Sequence, residues 1–272
     1  MSKKKIDLLI IDVQRGFCDP TLNGGKGELY VPGADASTDR LARFVEAKGK
    51  WLHDIDMTLD CHHALHIGHP LYWRDATGAE PPPFTPITAE AMMRGDWTPR
   101  IPSLAGHTLK YLKQLESTGR YGHMVWPPHC LIGTEGNNVM PQLMAAVLKW
   151  ERTQCAFAGK HSKGSCVYTE HFSGVRAEVP YPGDPTTALN TALVAKLQEA
   201  DELLIAGQAL SHCVANTVRD VADAFGDPAL VKKFVLLEDC TDPVTGFEQK
   251  ARDFVAEFKA RGMRVAKSTD VL

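Results

Sequence analysis

Short apolar runs alternate along the chain with segments whose apolar residues return every three or four positions. Ile6–Asp12 is apolar almost to its closing acid and reads as a buried strand. Ala34–Ala47 reads as a helix with Leu41 and Phe44 facing inward, and Trp51–Asp60 as a second strand. Met140, Leu143, Met144, Val147 and Leu148 mark one helix face, and Thr153–Ala158 reads as a strand. In Ala188–Gln198, Leu189, Leu193 and Leu197 recur at helical spacing. Leu203–Gly207, Lys233–Leu237 and Met263–Lys267 read as strands, with helices Cys213–Phe225 and Glu248–Arg261 between them. This alternation predicts an α/β fold: a three-layer, doubly wound, mostly parallel sheet covered on both faces. Residues 70–125 break the pattern with Pro81-Pro82-Pro83, Trp73, Trp97, several turn signals and one helical run near Leu109–Leu115. They read as an insertion covering the site, inside a single domain spanning 1–272.

Composition narrows the classes. A chain of 272 residues, 44% hydrophobic, can bury a sizeable core, and a net charge of −3 makes no case for nucleic acid or an anionic membrane. Lys3–Lys5 reads as a short solvated start. No apolar stretch has the length of a transmembrane helix, and Ile6–Ile11 is too short for a signal peptide. Seven scattered cysteines without a CxxC pair point to reduced thiols and a cytoplasmic setting.

In parallel α/β sheets the ligand crevice lies beyond the carboxyl ends of the strands. Asp12, Asp60 and Cys213 all stand at or just past such ends. Cys213 lies in AGQALSHCVANTVRD, where small residues precede it and Val214, Val218, Val221, Ala222 and Phe225 follow at helical spacing. Strand, tight turn, nucleophile and helix make a nucleophile elbow. The positive end of the helix dipole would lower the thiol's pKa. Position alone favours a buried, inert cysteine over a nucleophile. Asp12 needs a partner or a function at the end of a buried strand. Asp60 and His62 form a DxH unit on one side of an extended chain, a donor pair suited to zinc, manganese or iron(II). His63, His66 and His69 crowd behind it, and Trp126–Cys130 (WPPHC) adds His129 on a proline-stiffened turn. Lys163 read alone is a surface lysine; near a carboxylate and a thiol it would stabilise negative charge.

Taken in order, LLIIDVQRGF, TLDCHH, VWPPHCLIGTEG, KGSCVYTEHFSGV and AGQALSHCV resemble the motif series of the nicotinamidase/isochorismatase-like cysteine hydrolases. The resemblance runs from residue 6 to about 225. It implies a catalytic triad of Asp12, Lys163 and Cys213. It implies a divalent metal, zinc first with manganese or iron as alternatives, held by Asp60, His62 and His129 with waters. It implies a cis peptide at Gln208–Ala209 that aims the backbone N–H groups of Ala209 and Cys213 at an oxyanion, and a substrate pocket walled by Phe17 and Trp126. The implied enzyme hydrolyses the C–N bond of a small carboxamide, nicotinamide first, through a cysteine thioester; its only other implied partner is a copy of itself.

Within the series, Cys61 stands inside DxH where many relatives have an aromatic. His66 and His69 compete as a further ligand, neither at the usual offset. Lys160 lies three residues from Lys163, which the following Gly164 favours. The long stretch between His62 and Trp126 leaves room for another small amide as substrate. Two other classes compete: a zinc hydrolase in which metal-bound water attacks and Cys213 is structural, and a non-enzymatic partner module, which would be expected to lack a triad member.

Overall fold

The computed structural model describes residues 4–272, so Lys3 of the predicted lysine start lies outside the described residues. The main elements are β1 (Ile6–Ile11), α1 (Ala34–Lys48), β2 (Asp54–Asp60), α2 (Ala105–Thr118), α3 (Pro141–Gln154), β3 (Gly159–Lys163), α4 (Thr191–Gln198), β4 (Glu202–Gly207), α5 (Ala215–Phe225), β5 (Phe234–Leu237), α6 (Glu248–Arg261) and β6 (Arg264–Ala266). The six strands form one sheet in the order β6-β5-β4-β1-β2-β3, and every neighbouring pair is parallel.

The period-two geometry of a strand explains the layers. Leu8 and Ile10 of β1 point to one face, where they join Leu41 and Phe44 of α1 and Leu143 and Val147 of α3. Leu9 and Ile11 point to the other, where Leu193 of α4, Val218 of α5 and Phe254 of α6 cover them. Every residue of β1 and β4 is buried, which is why these strands read as unbroken apolar runs. From β1 the order runs outward through β2 and β3 on one side and through β4, β5 and β6 on the other. The β1–β4 junction is therefore the switch point at which a doubly wound sheet opens a crevice.

Several element boundaries differ from expectation. Thr153–Ala158 is not a strand: α3 continues to Gln154, Cys155 caps it in a left-handed conformation, and Phe157 is 79% exposed. The strand follows as β3, an edge strand whose Lys160, His161 and Ser162 gave no apolar signal. Trp51 belongs to a 3-10 turn, and β2 starts at Asp54. Leu189 lies outside α4, which begins after the Asn190 cap, whose side chain accepts from the Leu193 N–H. The inward face of α3 is carried by Leu143, Ala146, Val147 and Trp150, with Leu148 partly exposed.

The 70–125 stretch is more ordered than its turn signals suggested. It holds α2, a short helix Ala89–Arg94 capped by the Thr88 hydroxyl, and two small antiparallel ladders, Trp73–Arg74 with Thr98–Pro99 and Pro86–Ile87 with His123–Met124. Tyr72, Trp73, Ile87, Tyr111 and Leu112 pack into a hydrophobic cluster of their own. Two-residue ladders are too short to show a sequence period. Among the described residues, no helix is long and apolar enough to cross a membrane.

Two stability predictions follow from close packing and from charge. Gly207 ends β4 at φ 121°, and a Cβ there would lie 2.0 Å from the Ile11 carbonyl oxygen. Gly207→Ala should lose roughly 2–4 kcal/mol in a urea melt, combining backbone strain with overpacking. Asp220 of α5 is buried between Arg120 at 2.7 Å and Arg176 at 2.6 Å. Burial alone would raise its pKa, but the two guanidinium groups outweigh it and hold the carboxyl below its ordinary range. A lowered folded pKa contributes stability that is fully present above the unfolded value and is lost as pH falls through the folded value. Asp220→Asn should therefore cost about 1–2 kcal/mol at neutral pH, with the gap to wild type closing as pH drops below about 4.

Candidate active site

Four segments meet at the switch-point crevice because four parallel strands end there. Asp12 follows β1, with φ 48°; its N–H donates to Thr58, and the Thr58 hydroxyl donates back to its carboxylate at 2.6 Å. Asp60 closes β2, and the Gln14 side chain grips it, accepting from the Asp60 N–H at 2.6 Å and donating to its carbonyl at 2.8 Å. Lys163 closes β3 in register with Asp60. A Cβ on the next residue, Gly164, would lie 2.6 Å from the Asp60 carboxylate, so this approach requires glycine. Cys213 follows β4 inside a π-turn, Leu210–Val214, that leads into α5. The peptide Gln208–Ala209 is cis.

The structure brings Asp12, Lys163 and Cys213 together. The Lys163 ammonium lies 3.0 Å from Asp12, 3.1 Å from Asp60 and 3.8 Å from the Cys213 sulfur, and also donates to the His171 carbonyl. Lys160, by contrast, is exposed and pairs with Glu151. Burial by itself would pull the Lys163 pKa down, but Asp12, Asp60 and Cys213 together hold it well above the usual lysine range. Burial raises the Asp12 carboxyl, with Lys163 opposing. The thiol differs from the sequence expectation. Cys213 precedes the first turn of α5 instead of opening it, and burial pushes its pKa well up, opposed by Lys163 and reinforced by the Asp12 and Asp60 charges and a hydrogen bond to Asp12. Burial thus favours the protonated thiol in the resting site.

Beside this group lie the histidines. His129 reaches the crevice because the backbone of its segment forms a parallel bridge, His62 with Leu131. The Nδ1 atoms of His62 and His129 face the carbonyls of Gly164 at 3.1 Å and Pro127 at 2.8 Å. A proton on each Nδ1 leaves each Nε2 lone pair directed at Asp60, 3.0 and 3.7 Å away. A neutral imidazole nitrogen and a carboxylate oxygen at 3.0 Å are both acceptors, so the contact calls for either a metal ion or a proton on Nε2 between them. Burial would lower the His62 pKa, but Asp60 outweighs it and raises it, while burial lowers that of His129. The structure adds His69: ligand atoms of His62, His69 and His129 lie within 4.8 Å of one another, and both His69 ring nitrogens are buried without a hydrogen-bond partner. Between the two histidines left open by sequence, His69 joins the donor set. His66 accepts from the Gly68 N–H and packs on His62. This donor chemistry suits a divalent metal.

Phe17, Trp126, His129, Cys213, Glu170 and Phe172 line one pocket in the crevice, three of them aromatic. The two predicted walls, Phe17 and Trp126, thus face the sulfur across one pocket. Sequence reasoning missed Glu170, Phe172 and His212. The first two lie within the KGSCVYTEHFSGV segment, but nothing in its spacing set them apart. His212 directly precedes the cysteine, and its ring packs among Tyr121, Trp126 and Phe247 at 4.6–5.3 Å. Burial lowers its pKa to about 3, so it serves as a neutral wall.

No protein-family model matches the chain. The doubly wound sheet is shared with solved nicotinamidases. The fold superposes on the yeast nicotinamidase bound to the inhibitor nicotinaldehyde with a TM-score of 0.65 at 20% identity, covering 96% of this chain and 99% of that one. For the Acinetobacter baumanii nicotinamidase/pyrazinamidase the TM-score is 0.64 at 19% identity over the full length of both. For the Pyrococcus horikoshii pyrazinamidase in complex with zinc it is 0.54 at 18%, covering 97% and 99%. The fold of this chain is that of the solved nicotinamidases. By sequence it is similar to the Saccharomyces cerevisiae nicotinamidase, with 23% identity over 262 residues, 95% of this chain and 97% of that protein.

Lys163→Met removes the cation from between two buried carboxylates. It should destabilise the protein by about 3–5 kcal/mol in a denaturant melt. The deficit should shrink at acid pH, where Asp12 and Asp60 can take up protons; an unchanged melt at neutral pH would contradict the ion-pair geometry.

Proposed function

We propose that the chain is a metal-containing cysteine amidohydrolase that converts nicotinamide and water to nicotinate and ammonia. One observation carries the reading: the Cys213 sulfur, the Lys163 ammonium and the Asp12 carboxylate form one buried group opening on an aromatic pocket beside the histidine trio. In this reading the whole chain acts as one domain, with residues 70–125 backing the pocket wall through the packing of Phe84 on Trp126. The free state of all seven cysteines suits a reducing, cytoplasmic setting.

Asp12 takes the thiol proton as the Cys213 sulfur attacks the carboxamide carbon. The carbonyl electron pair moves onto oxygen, where the N–H groups of Ala209 and Cys213 receive it; one such donor is worth about 2.7–4 kcal/mol. The intermediate collapses, the C–N bond breaks, and Asp12 returns its proton to the departing ammonia. Water then adds to the thioester, with Asp12 again holding the proton, and releases the carboxylic acid and the thiol. Throughout, Lys163 keeps the Asp12–Cys213 pair in a charged environment that would otherwise expel charge. Asp60, His62, His69 and His129 would hold the metal, with zinc the preferred ion given the zinc complex of the Pyrococcus relative. When bound, the ion supplies a Lewis-acid anchor for a ring nitrogen or water. Phe17 and Trp126 would grip the ring faces.

Ammonia release from nicotinamide tests this. Wild type should turn over, Cys213→Ala should lose on the order of 10⁴-fold or more in kcat, and a chelator should weaken turnover. Retained activity in Cys213→Ser together with complete loss on chelation would instead establish the metal-water hydrolase. Wild-type turnover of a different carboxamide alone would keep the chemistry and change the substrate.

A further inference from the structure

The residues flanking Ala209 are tied to Asp242, Leu210 through its main chain and Gln208 through both main chain and carboxylate, and Asp242 stands outside the proposed triad. Asp242 sits just past β5, in the loop that follows its closing 3-10 turn. Its carbonyl accepts from the Leu210 N–H at 2.8 Å, and its own N–H donates to the Gln208 side-chain carbonyl at 3.1 Å. The Gln208 side-chain amide donates back to the Asp242 carboxylate at 3.3 Å and to Ser37 at 3.2 Å, and the Ser37 hydroxyl donates to that same carboxylate oxygen. Gln208 is 1% exposed, and its backbone N–H is held by the Ile11 carbonyl at 2.7 Å. Residues 208 and 210 are therefore both fastened to Asp242, one on each side of Ala209. Ala209 lines the pocket; its carbonyl accepts from the N–H groups of His212 and Val214, and its own N–H donates to no group among the described residues. The same loop also grips the turn from its far end, where the Val244 N–H donates to the Ser211 hydroxyl.

We propose that Asp242, Gln208 and Ser37 form a clamp that positions the Ala209 N–H for the oxyanion. Asp242 and Gln208 are positioning residues: neither touches the reacting atoms. The clamp joins the loops after β4 and β5 to the first turn of α1, so it holds the elbow from outside the crevice. The inference rests on the amidohydrolase reading, because it assigns the Ala209 N–H to the developing oxyanion. A donor that works only at the transition state changes kcat and leaves ground-state binding alone. Misplacing such a donor by about 1 Å lowers the rate on the order of 10²-fold.

The test compares wild type, Asp242→Ala, Asp242→Asn and Gln208→Ala. Nicotinamide kinetics are measured beside the affinities for nicotinaldehyde and for nicotinate. With nicotinaldehyde the sulfur adds to the aldehyde carbon, the carbonyl pair moves to oxygen and the thiol proton passes to Asp12, so the adduct reads the oxyanion site; nicotinate reads the ground-state pocket. Asp242→Ala and Gln208→Ala should lower kcat by roughly 10- to 100-fold, and nicotinaldehyde affinity with it, while KM and nicotinate affinity stay within about twofold. Asp242→Asn should restore most of the loss, since its amide oxygen can accept both bonds. Gln208→Ala carries the test if Asp242→Ala does not fold. Unchanged kcat in the alanine variants, or equal losses of kcat and nicotinate affinity without rescue by asparagine, would overturn the clamp. Absence of any wild-type amide turnover would instead overturn the amidohydrolase reading on which it rests.

Discussion

Everything in the crevice depends on keeping one ammonium charged in a place that water does not reach. Lys163 is 3% exposed, and only the carboxylates of Asp12 and Asp60 make its charge tolerable there. The dependence is mutual: without Lys163, two carboxylates and a thiol would share a buried volume that favours neutral forms. Asp60 faces Lys163 with one oxygen and the histidines with the other, so the ion pair and the candidate metal site share a residue. Gln14 locks Asp60 to the chain just past β1, two residues after Asp12. The two functional groups are held in one frame.

That frame exists because of the sheet. Parallel strands β1, β2, β3 and β4 stop at the same edge, and each contributes a functional residue at or just past its last position. The apolar residues beneath them, buried on both faces, fix the height at which those residues emerge. Hydrophobic packing alone would never select a lysine for that depth. The polar residues at the strand ends are placed by the core and held by one another.

Sequence legibility followed the physics of each segment. β1 and β4, buried throughout, were plain in the apolar pattern, and so were α1 and α6. β3 was not, because an edge strand carrying Lys160, His161 and Ser162 has no apolar run, and the strand reading fell on the end of α3. Among site residues, Asp12, Asp60 and Cys213 were marked by their places at strand ends and His129 by its proline-stiffened turn, whereas Lys163 stood out only in the ordered motif series. His69 could not be chosen over His66 from spacing, because the turn that carries it into the crevice is made by tertiary packing. The lowered thiol pKa inferred from a helix start was reversed by burial, a quantity that no local sequence window contains.

The cluster formed by Tyr72, Trp73, Ile87, Tyr111 and Leu112 is separate from the two clusters that sandwich the sheet. Cooperative units of opening tend to follow such divisions, with free energies below that of global unfolding. Amide exchange in α2 and the small ladders would then report a sub-global opening, while the amides of β1 and β4 exchange only when the whole sheet melts. Trp126 sits where the two regimes meet, its backbone N–H bonded to the Gly68 carbonyl and its side chain lining the pocket. Val125 packs in the smaller cluster and Trp126 in the one on the sheet, so an opening of the smaller unit would stop at the cavity wall and leave the charges at its base in place.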